Sequence, residues 1–332
     1  MPSVDRAASI ADLRRLARRR LPRPVFDFID DGAGDERTLR DNEADLAAMR
    51  LMPRVAVDVA QRSAGTQIVG AASALPLVLA PTGLAGFFWP GGEQGAARAA
   101  AGIPFCLSTN SVASIEEVAR DVPGGERWFQ FYFLKDQALM HGMVDRARDH
   151  GYRVLCLTLD LALQGRRERD IRSGFTVPLA PGPRMVVDVA VRPAWLLGFL
   201  RHGVRFGNFE GHAPTGDFSS IAAHVAKLCD AGADWRAVER IAARWDGPVV
   251  VKGVLNPDDA RRAVDLGAEA VIVSNHGGSQ LDHVPSAVGA LPGVVEAVAK
   301  AGAGRAQVPL DGGVRRGAPM SSRRRRWGPT PA

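Results

Sequence analysis

PVVVKGVLNPDDARRAVDLGAEAVIVSNHGG, residues 248–278, decides the fold. Its two apolar runs, Pro248–Lys252 and Ala270–Ser274, show no alternation of apolar and polar residues. Continuous runs of this length belong to strands buried on both faces, which is the condition of a parallel sheet. Between them Pro257–Leu266 sets alanine, valine and leucine against aspartate and arginine at helical spacing. The unit is therefore strand, helix, parallel strand. Each strand ends on a polar group, Lys252 on the first and Ser274, Asn275 and His276 on the second.

The same theme extends in both directions. Strands are expected at Leu77–Ala80, Pro104–Leu107, Phe129–Phe133, Val154–Thr158 and Val308–Asp311, with helices at Ile115–Arg120, Gln137–His150 and Trp235–Trp245. Polar residues gather just beyond the strand ends, the arrangement a TIM (β/α)8 barrel presents at its carboxyl face. A doubly wound sheet is the alternative, but its glycine-rich GxGxxG turn after the first strand is missing. The expected class is thus an α/β barrel spanning residues 1–317. Only seven strands can be read, so an eighth strand and helix are missing from the pattern, and the Arg-rich stretch 318–332 reads as an aberrant tail after a truncation or frame change. Residues 162–220 form a long insertion after the fourth strand. Within it Pro193–Gly203 reads as a short helix with Trp195 and Phe199 on one side. Contact with a membrane interface through 185–206 and packing on the barrel or a second subunit, a homo-oligomer, are both open for it.

Composition narrows the function classes. The chain of 332 residues is 46% hydrophobic and 23% charged, a folded globular balance. No apolar stretch approaches the ~20 residues that span a bilayer, and the first residues mix Asp5 and Asp12 with arginines, unlike a secretory signal. Cys106, Cys156 and Cys229 have no CxxC or CxxH spacing, which suits a reducing cytoplasm and gives no metal site. The net charge of +6 is carried by six arginines after Gly312, so the body is neutral and nucleic acid is not an expected partner. Ser9–Leu21 reads as a solvated basic helix.

Several residues carry chemistry. His276, at a strand end with Gly277 and Gly278 behind it, is placed to exchange a proton near neutral pH. Asp160, beyond the fourth strand, is its candidate partner, since a carboxylate stabilises the protonated imidazole. Lys252 on an apolar strand calls for an anionic partner such as a cofactor or substrate. Asp311-Gly312-Gly313-Val314-Arg315 reads as a phosphate turn, with glycine N–H groups and Arg315 facing an anion. In Arg166–Asp170 most members are expected to be a solvated charge run, with one arginine reaching a substrate carboxylate.

LPRPVFDFIDDGAGDE (21–36), PTGLAGFFWP (81–90), LSTNS (107–111), WFQFY (128–132), LTLD (157–160), GRRERD (165–170), VVKGV (250–254), SNHGG (274–278) and LDGGVRRG (310–317) together resemble the FMN-dependent 2-hydroxy acid dehydrogenase/oxidase family. Within it the chain looks most like the bacterial membrane-associated mandelate dehydrogenases, whose membrane segment the stretch VVDVAVRPAWLLGFLRHGV (186–204) resembles. The resemblance implies FMN across the barrel mouth, held by Pro81, Thr82, Gly83, Ser108, Gln130, Thr158, Lys252 and Ser274, with Asp311, Gly312, Gly313 and Arg315 at the ribityl and phosphate end. It implies His276 as base with Asp160 behind it, Tyr132 on the substrate hydroxyl and Arg167 on its carboxylate. The implied reaction oxidises an L-2-hydroxy acid, mandelate- or lactate-like, and passes electrons to quinone or another acceptor. The implied location is cytoplasmic, peripheral on the inner face of the membrane. Gly83, where oxidases of the family often carry alanine, points to a dehydrogenase.

Two positions depart from the family pattern. Ser279 stands where the family has a substrate-binding arginine, and Phe28 where it has a substrate-binding tyrosine. With the missing eighth strand, these keep open a second reading, a non-catalytic descendant that binds little FMN.

Overall fold

The computed structural model describes residues 4–175, 182–203, 205–212, 225, 227–302 and 306–316. A short antiparallel hairpin of β1 (Thr66–Ile68) and β2 (Ala71–Ser73) precedes a five-stranded parallel sheet. The sheet runs β3 (Phe105–Ser108), β4 (Arg127–Phe131), β5 (Val154–Thr158), β6 (Val249–Val254) and β7 (Ala270–Val273), each strand beside its successor. Two further segments extend it by isolated parallel bridges, Leu79 to Phe105 at one edge and Gln307 to Ala270 and Leu310 to Val273 at the other. Seven parallel segments in chain order, with no reversal, are a singly wound arrangement; a doubly wound sheet reverses at its switch point.

The expected strands fall where the apolar runs lie, with three adjustments, the first being that β4 occupies Arg127–Phe131, two residues before the expected Phe129–Phe133. Strands β3 and β6 begin after Pro104 and Pro248, which have no N–H for the ladder. The outer segments near Leu79 and Leu310 pair only at single bridges, and Pro309 interrupts the second. The stretch 318–332 lies outside the described residues, as do 176–181, 204 and 213–220 of the insertion.

Helices α1 (Ile10–Arg20), α2 (Arg23–Asp30) and α3 (Arg37–Ala48) precede the sheet, and the sequence reading had only the first of them. Helix α1 buries no residue, as a solvated basic helix should. Then come α4 (Ala85–Phe88), α5 (Gly92–Ala99), α6 (Ile115–Asp121) and α7 (Gln137–Asp149). Ser114 and Glu117 form a reciprocal capping box that starts α6, and the Asp136 side chain caps α7. In the insertion lie α8 (Glu168–Ser173), α9 (Pro183–Ala190) and α10 (Pro193–His202), and α11 (Trp235–Ala242), α12 (Pro257–Asp265) and α13 (Ala287–Gly302) come later in the chain. Trp195 anchors α10 by stacking on Phe199, meeting the Phe87 ring edge-on and donating its Nε1 hydrogen to the Phe87 carbonyl at 3.1 Å.

Within the sheet, Cys106, Trp128, Cys156, Val250 and Ala270 form one buried cluster with Ile68 and Val69 of the hairpin. Arg153 Nη1 donates to the Val69 carbonyl at 2.7 Å and Gln307 Nε2 to the Gln67 carbonyl at 3.2 Å. The hairpin thereby closes the amino-terminal end of the strands, leaving the carboxyl ends for chemistry.

Candidate active site

Beyond β7 the chain turns sharply at His276, which takes φ +57°, a left-handed conformation unusual for a side-chain-bearing residue. Its N–H donates to Ser274 Oγ at 3.1 Å. Next to it Asn275 exchanges two amide hydrogen bonds with Asn42 of α3, at 2.8 and 2.9 Å, and so fastens the turn to that helix. The turn aims the imidazole between two groups. Nδ1 lies 3.0 Å from Asp160 Oδ1, and Nε2 lies 3.4 Å from the Tyr132 hydroxyl. A carboxylate at Nδ1 fixes the proton there, so we assign Nε2 as the unprotonated nitrogen, free to act as a base. Burial pushes the Asp160 carboxyl up, but the hydrogen bond from His276 and the charge of Lys252 outweigh it and hold Asp160 ionised below its ordinary value. Burial raises the Tyr132 phenol, which stays a neutral hydrogen-bonding group.

Lys252 comes from β6 and is buried. Its Nζ lies 2.9 Å from Asp311 Oδ2 and donates to Ser274 Oγ at 3.1 Å; Ser274 in turn donates to Asp311 at 3.0 Å. The anionic partner expected of a cofactor or substrate is thus supplied by Asp311 within the chain. Burial opposes the ammonium charge, yet Asp311 and Asp160 outweigh it and raise Lys252 above the usual lysine value. Asp311 is correspondingly lowered, burial notwithstanding, chiefly by Lys252. The two form a buried ion pair, tied together through Ser274, at the carboxyl ends of the strands.

Two neighbouring strands present uncommitted polar atoms. Ser108 and Gln130 are register partners on β3 and β4, and Ser108 Oγ donates to Gln130 Oε1 at 3.1 Å. Thr109, absent from the expected set, orients this pair: its hydroxyl donates to the Gln130 carbonyl at 2.6 Å and accepts from the Tyr132 N–H at 3.2 Å. Gln130 Nε2 and Thr158 Oγ1 remain buried with no partner. Such orphans are costly and in native proteins mark a ligand or a water. Pro81, Thr82 and Gly83 follow the Leu79 bridge, and a Cβ on Gly83 would sit 3.5 Å from that of Asn110, an ordinary contact.

Arg167 reaches across from the N-terminus of α8. Nε donates to the Ser279 carbonyl at 3.3 Å and Nη1 to the Phe28 carbonyl at 3.0 Å, with the guanidinium 5.3 Å from the centre of the Phe28 ring. The two departing positions, Phe28 and Ser279, therefore serve Arg167 through their backbones. Ser279 Oγ is itself spent on the His276 carbonyl at 2.6 Å. The charge run 166–170 is not solvated throughout as expected. Arg169 lies 3.1 Å from Asp30 and 2.7 Å from Glu36, and Asp170 is buried, because α8 packs against α2. At the glycine turn, Gly313 takes φ +74° and a Cβ there would come within 2.6 Å of the Asn42 carbonyl, so only glycine fits. Arg315 turns outward to Glu43 at 2.8 Å.

A family model described as FMN-dependent dehydrogenase matches residues 17–321. Among curated relatives, the L-lactate dehydrogenase of Caulobacter vibrioides is 44% identical over 315 residues, covering 93% of this chain and 81% of its own. The (S)-mandelate dehydrogenase of Pseudomonas putida is 39% identical over 312 residues, covering 93% and 77%. Among solved structures, one described as the monotopic membrane protein (S)-mandelate dehydrogenase superposes with a TM-score of 0.88 at 38% identity, over 95% of this chain and 83% of that one.

Proposed function

The chain belongs to the FMN-dependent dehydrogenase family as a 2-hydroxy acid dehydrogenase of TIM-barrel fold, and from that membership we propose that it oxidises a mandelate- or lactate-like L-2-hydroxy acid to the 2-oxo acid with His276 as base. The observation that carries this reading is the His276–Asp160 pair, with Nε2 open beside the Tyr132 hydroxyl. The cofactor suits the residues present: Gln130 Nε2 and Thr158 Oγ1 are buried without partners, and Lys252 brings a fixed positive charge among them. Ser108, Gln130, Thr158, Lys252 and Ser274 would hold the flavin ring, Pro81, Thr82 and Gly83 its edge, and Asp311, Gly312, Gly313 and Arg315 the ribityl and phosphate end. When bound, FMN supplies the acceptor for the two electrons leaving the substrate.

The chain's own residues do the rest. Arg167 has Nη2 uncommitted and attracts the substrate carboxylate, while Tyr132 orients the hydroxyl. His276 Nε2 takes one of the two protons the substrate gives up, from the α-carbon or from the hydroxyl. Asp160, held ionised, then stabilises the imidazolium, which is worth several kcal/mol in a site of low dielectric.

Membrane contact is part of the same reading. Val186, Val187 and Val191 of the α9 region and Leu197 and Leu200 of α10 are exposed. Beside them lies a cleft of about 390 Å3 lined by Arg14, Arg18, Arg23, Asp30, Arg169 and Arg192, and Arg18 has no ion-pair partner among the described residues. Exposed aliphatic groups next to Arg18, the one cleft arginine not paired with a carboxylate among the described residues, suit an anionic bilayer surface. A quinone dissolved in that bilayer is then the accessible acceptor.

The test is spectroscopic. Protein incubated with FMN and passed through gel filtration should keep a flavin spectrum, and L-mandelate or L-lactate should bleach it without oxygen. His276→Gln should keep the flavin and slow bleaching by roughly 100- to 10,000-fold, the span of general-base contributions. A colourless protein, or bleaching that survives the substitution, would overturn the reading.

A further inference from the structure

Asp31 follows the last turn of α2, and its N–H donates to the Asp27 carbonyl at 2.9 Å. Its side chain is 0% exposed, and neither carboxyl oxygen has a hydrogen-bond partner. Of the charged groups that act on it, Asp170 and Arg169 come from α8, Arg167 from the start of that helix and Glu36 from the start of α3, while Asp27 and Asp30 belong to its own helix. Arg169 is committed elsewhere, to Asp30 at 3.1 Å and Glu36 at 2.7 Å. That leaves Arg167, whose Nη1 lies 3.6 Å away and otherwise donates only to the Phe28 carbonyl, as the one cation beside Asp31 with no other carboxylate partner among the described residues. Asp170, itself buried, adds a second negative charge on the same side.

Arg167 thus stands between a sealed carboxyl behind it and the substrate position in front. We propose that Asp31 is a positioning residue that couples substrate binding to proton uptake: an incoming carboxylate draws on the Arg167 charge, and Asp31 takes one proton from solvent as its countercharge is lost. The inference rests on the reading that Arg167 receives the substrate carboxylate. The balance is one anion and one proton bound together, with no redox change.

Burial, then Asp170, opposed by Arg167 and Arg169, pushes the Asp31 carboxyl up to about 7. Below that pH Asp31 is already neutral and binding draws no proton on its account. Above it each bound anion must bring one, so affinity falls by up to about tenfold per pH unit. The same shift has a sign for stability. A carboxyl raised from 3.8 to about 7 binds more protons folded than unfolded, so stability declines as pH rises across that interval.

The experiment titrates FMN-loaded protein with oxalate, a non-reacting carboxylate, by calorimetry in buffers of different protonation enthalpy, below and above neutrality. Wild type should take up more protons above neutrality than Asp31→Asn, and the variant's affinity should depend less steeply on pH. Thermal unfolding without oxalate gives a second arm, in which Asp31→Asn should gain stability over wild type above neutrality and little near pH 4. Identical proton uptake in the two proteins overturns the coupling, even if the unfolding curves differ. Unchanged unfolding profiles show that Asp31 does not titrate there and also overturn it. Oxalate binding undiminished in Arg167→Met would instead fell the carboxylate assignment on which the inference stands.

Discussion

Gly253 shows how tightly single residues are held in this site. It takes φ +95°, and a Cβ there would lie 2.5 Å from Asp160 Cγ and 2.7 Å from its Cβ. The glycine after Lys252 therefore serves two neighbours: it lets β6 bulge between Lys252 and Val254, and it makes room for the carboxylate that orients His276. Gly253→Ala forces either the strand or Asp160 to move. Overpacking with left-handed strain costs about 1–3 kcal/mol, and a displaced Asp160 loses its 3.0 Å contact with His276. The expected outcome is a lower denaturation midpoint with flavin still bound and turnover reduced. Denaturant titration, flavin content and reaction rate measured on one preparation check it, and unchanged turnover would show that Asp160 does not need this place.

Among the elements, the pair α9 and α10 carries the largest departure from ordinary surface behaviour. One side is anchored: Trp195 is buried against Phe87 and Phe199, and Gly198 admits Pro90, whose Cγ would lie 3.1 Å from a Cβ at that position. The other side exposes Leu197, 52% accessible, and Leu200, 68% accessible. Anchoring one side and exposing the other is what a segment needs to present an apolar face without unfolding into the bilayer. Leu197→Glu with Leu200→Glu should leave flavin content and turnover with a soluble dye unchanged, because neither side chain touches the strand ends. Binding to vesicles of mixed neutral and anionic lipid should fall at least tenfold, measured by co-sedimentation. Equal sedimentation of variant and wild type would return the face to packing between subunits. At the same scale, Asp282 accepts from the backbone of Thr38 at 2.8 Å and Arg37 at 3.3 Å, capping α3 from a loop 244 positions away. Such a cap lies outside any local pattern.

For the whole molecule, what the sequence reveals and what it hides divide along contact range. The strands β3 to β7 are legible because burial on both faces writes itself as an unbroken apolar run, and Lys252, His276 and Asp160 are legible because they end or follow those runs. The β1–β2 hairpin, three residues a side, is too short to leave a period, and α2 and α3 escape the sequence reading altogether. The Asn42–Asn275 exchange, the orienting role of Thr109 and the burial of Asp31 depend on which segments meet in space. The same convergence makes the cofactor a structural member of the molecule. Gln130 from β4, Thr158 from β5 and Lys252 from β6 meet at one face, two of them with unspent hydrogen-bonding atoms. A ligand that satisfies them binds the folded chain and not the unfolded one, so FMN at 100 times its dissociation constant should stabilise by about 2.7 kcal/mol. Lys252→Met removes the fixed cation and leaves Asp311 without its buried partner. It should therefore both unfold at a lower temperature and lose most of the FMN-induced rise. Melting curves across an FMN series decide the matter: a rise as large in the variant as in wild type would place the flavin away from Lys252.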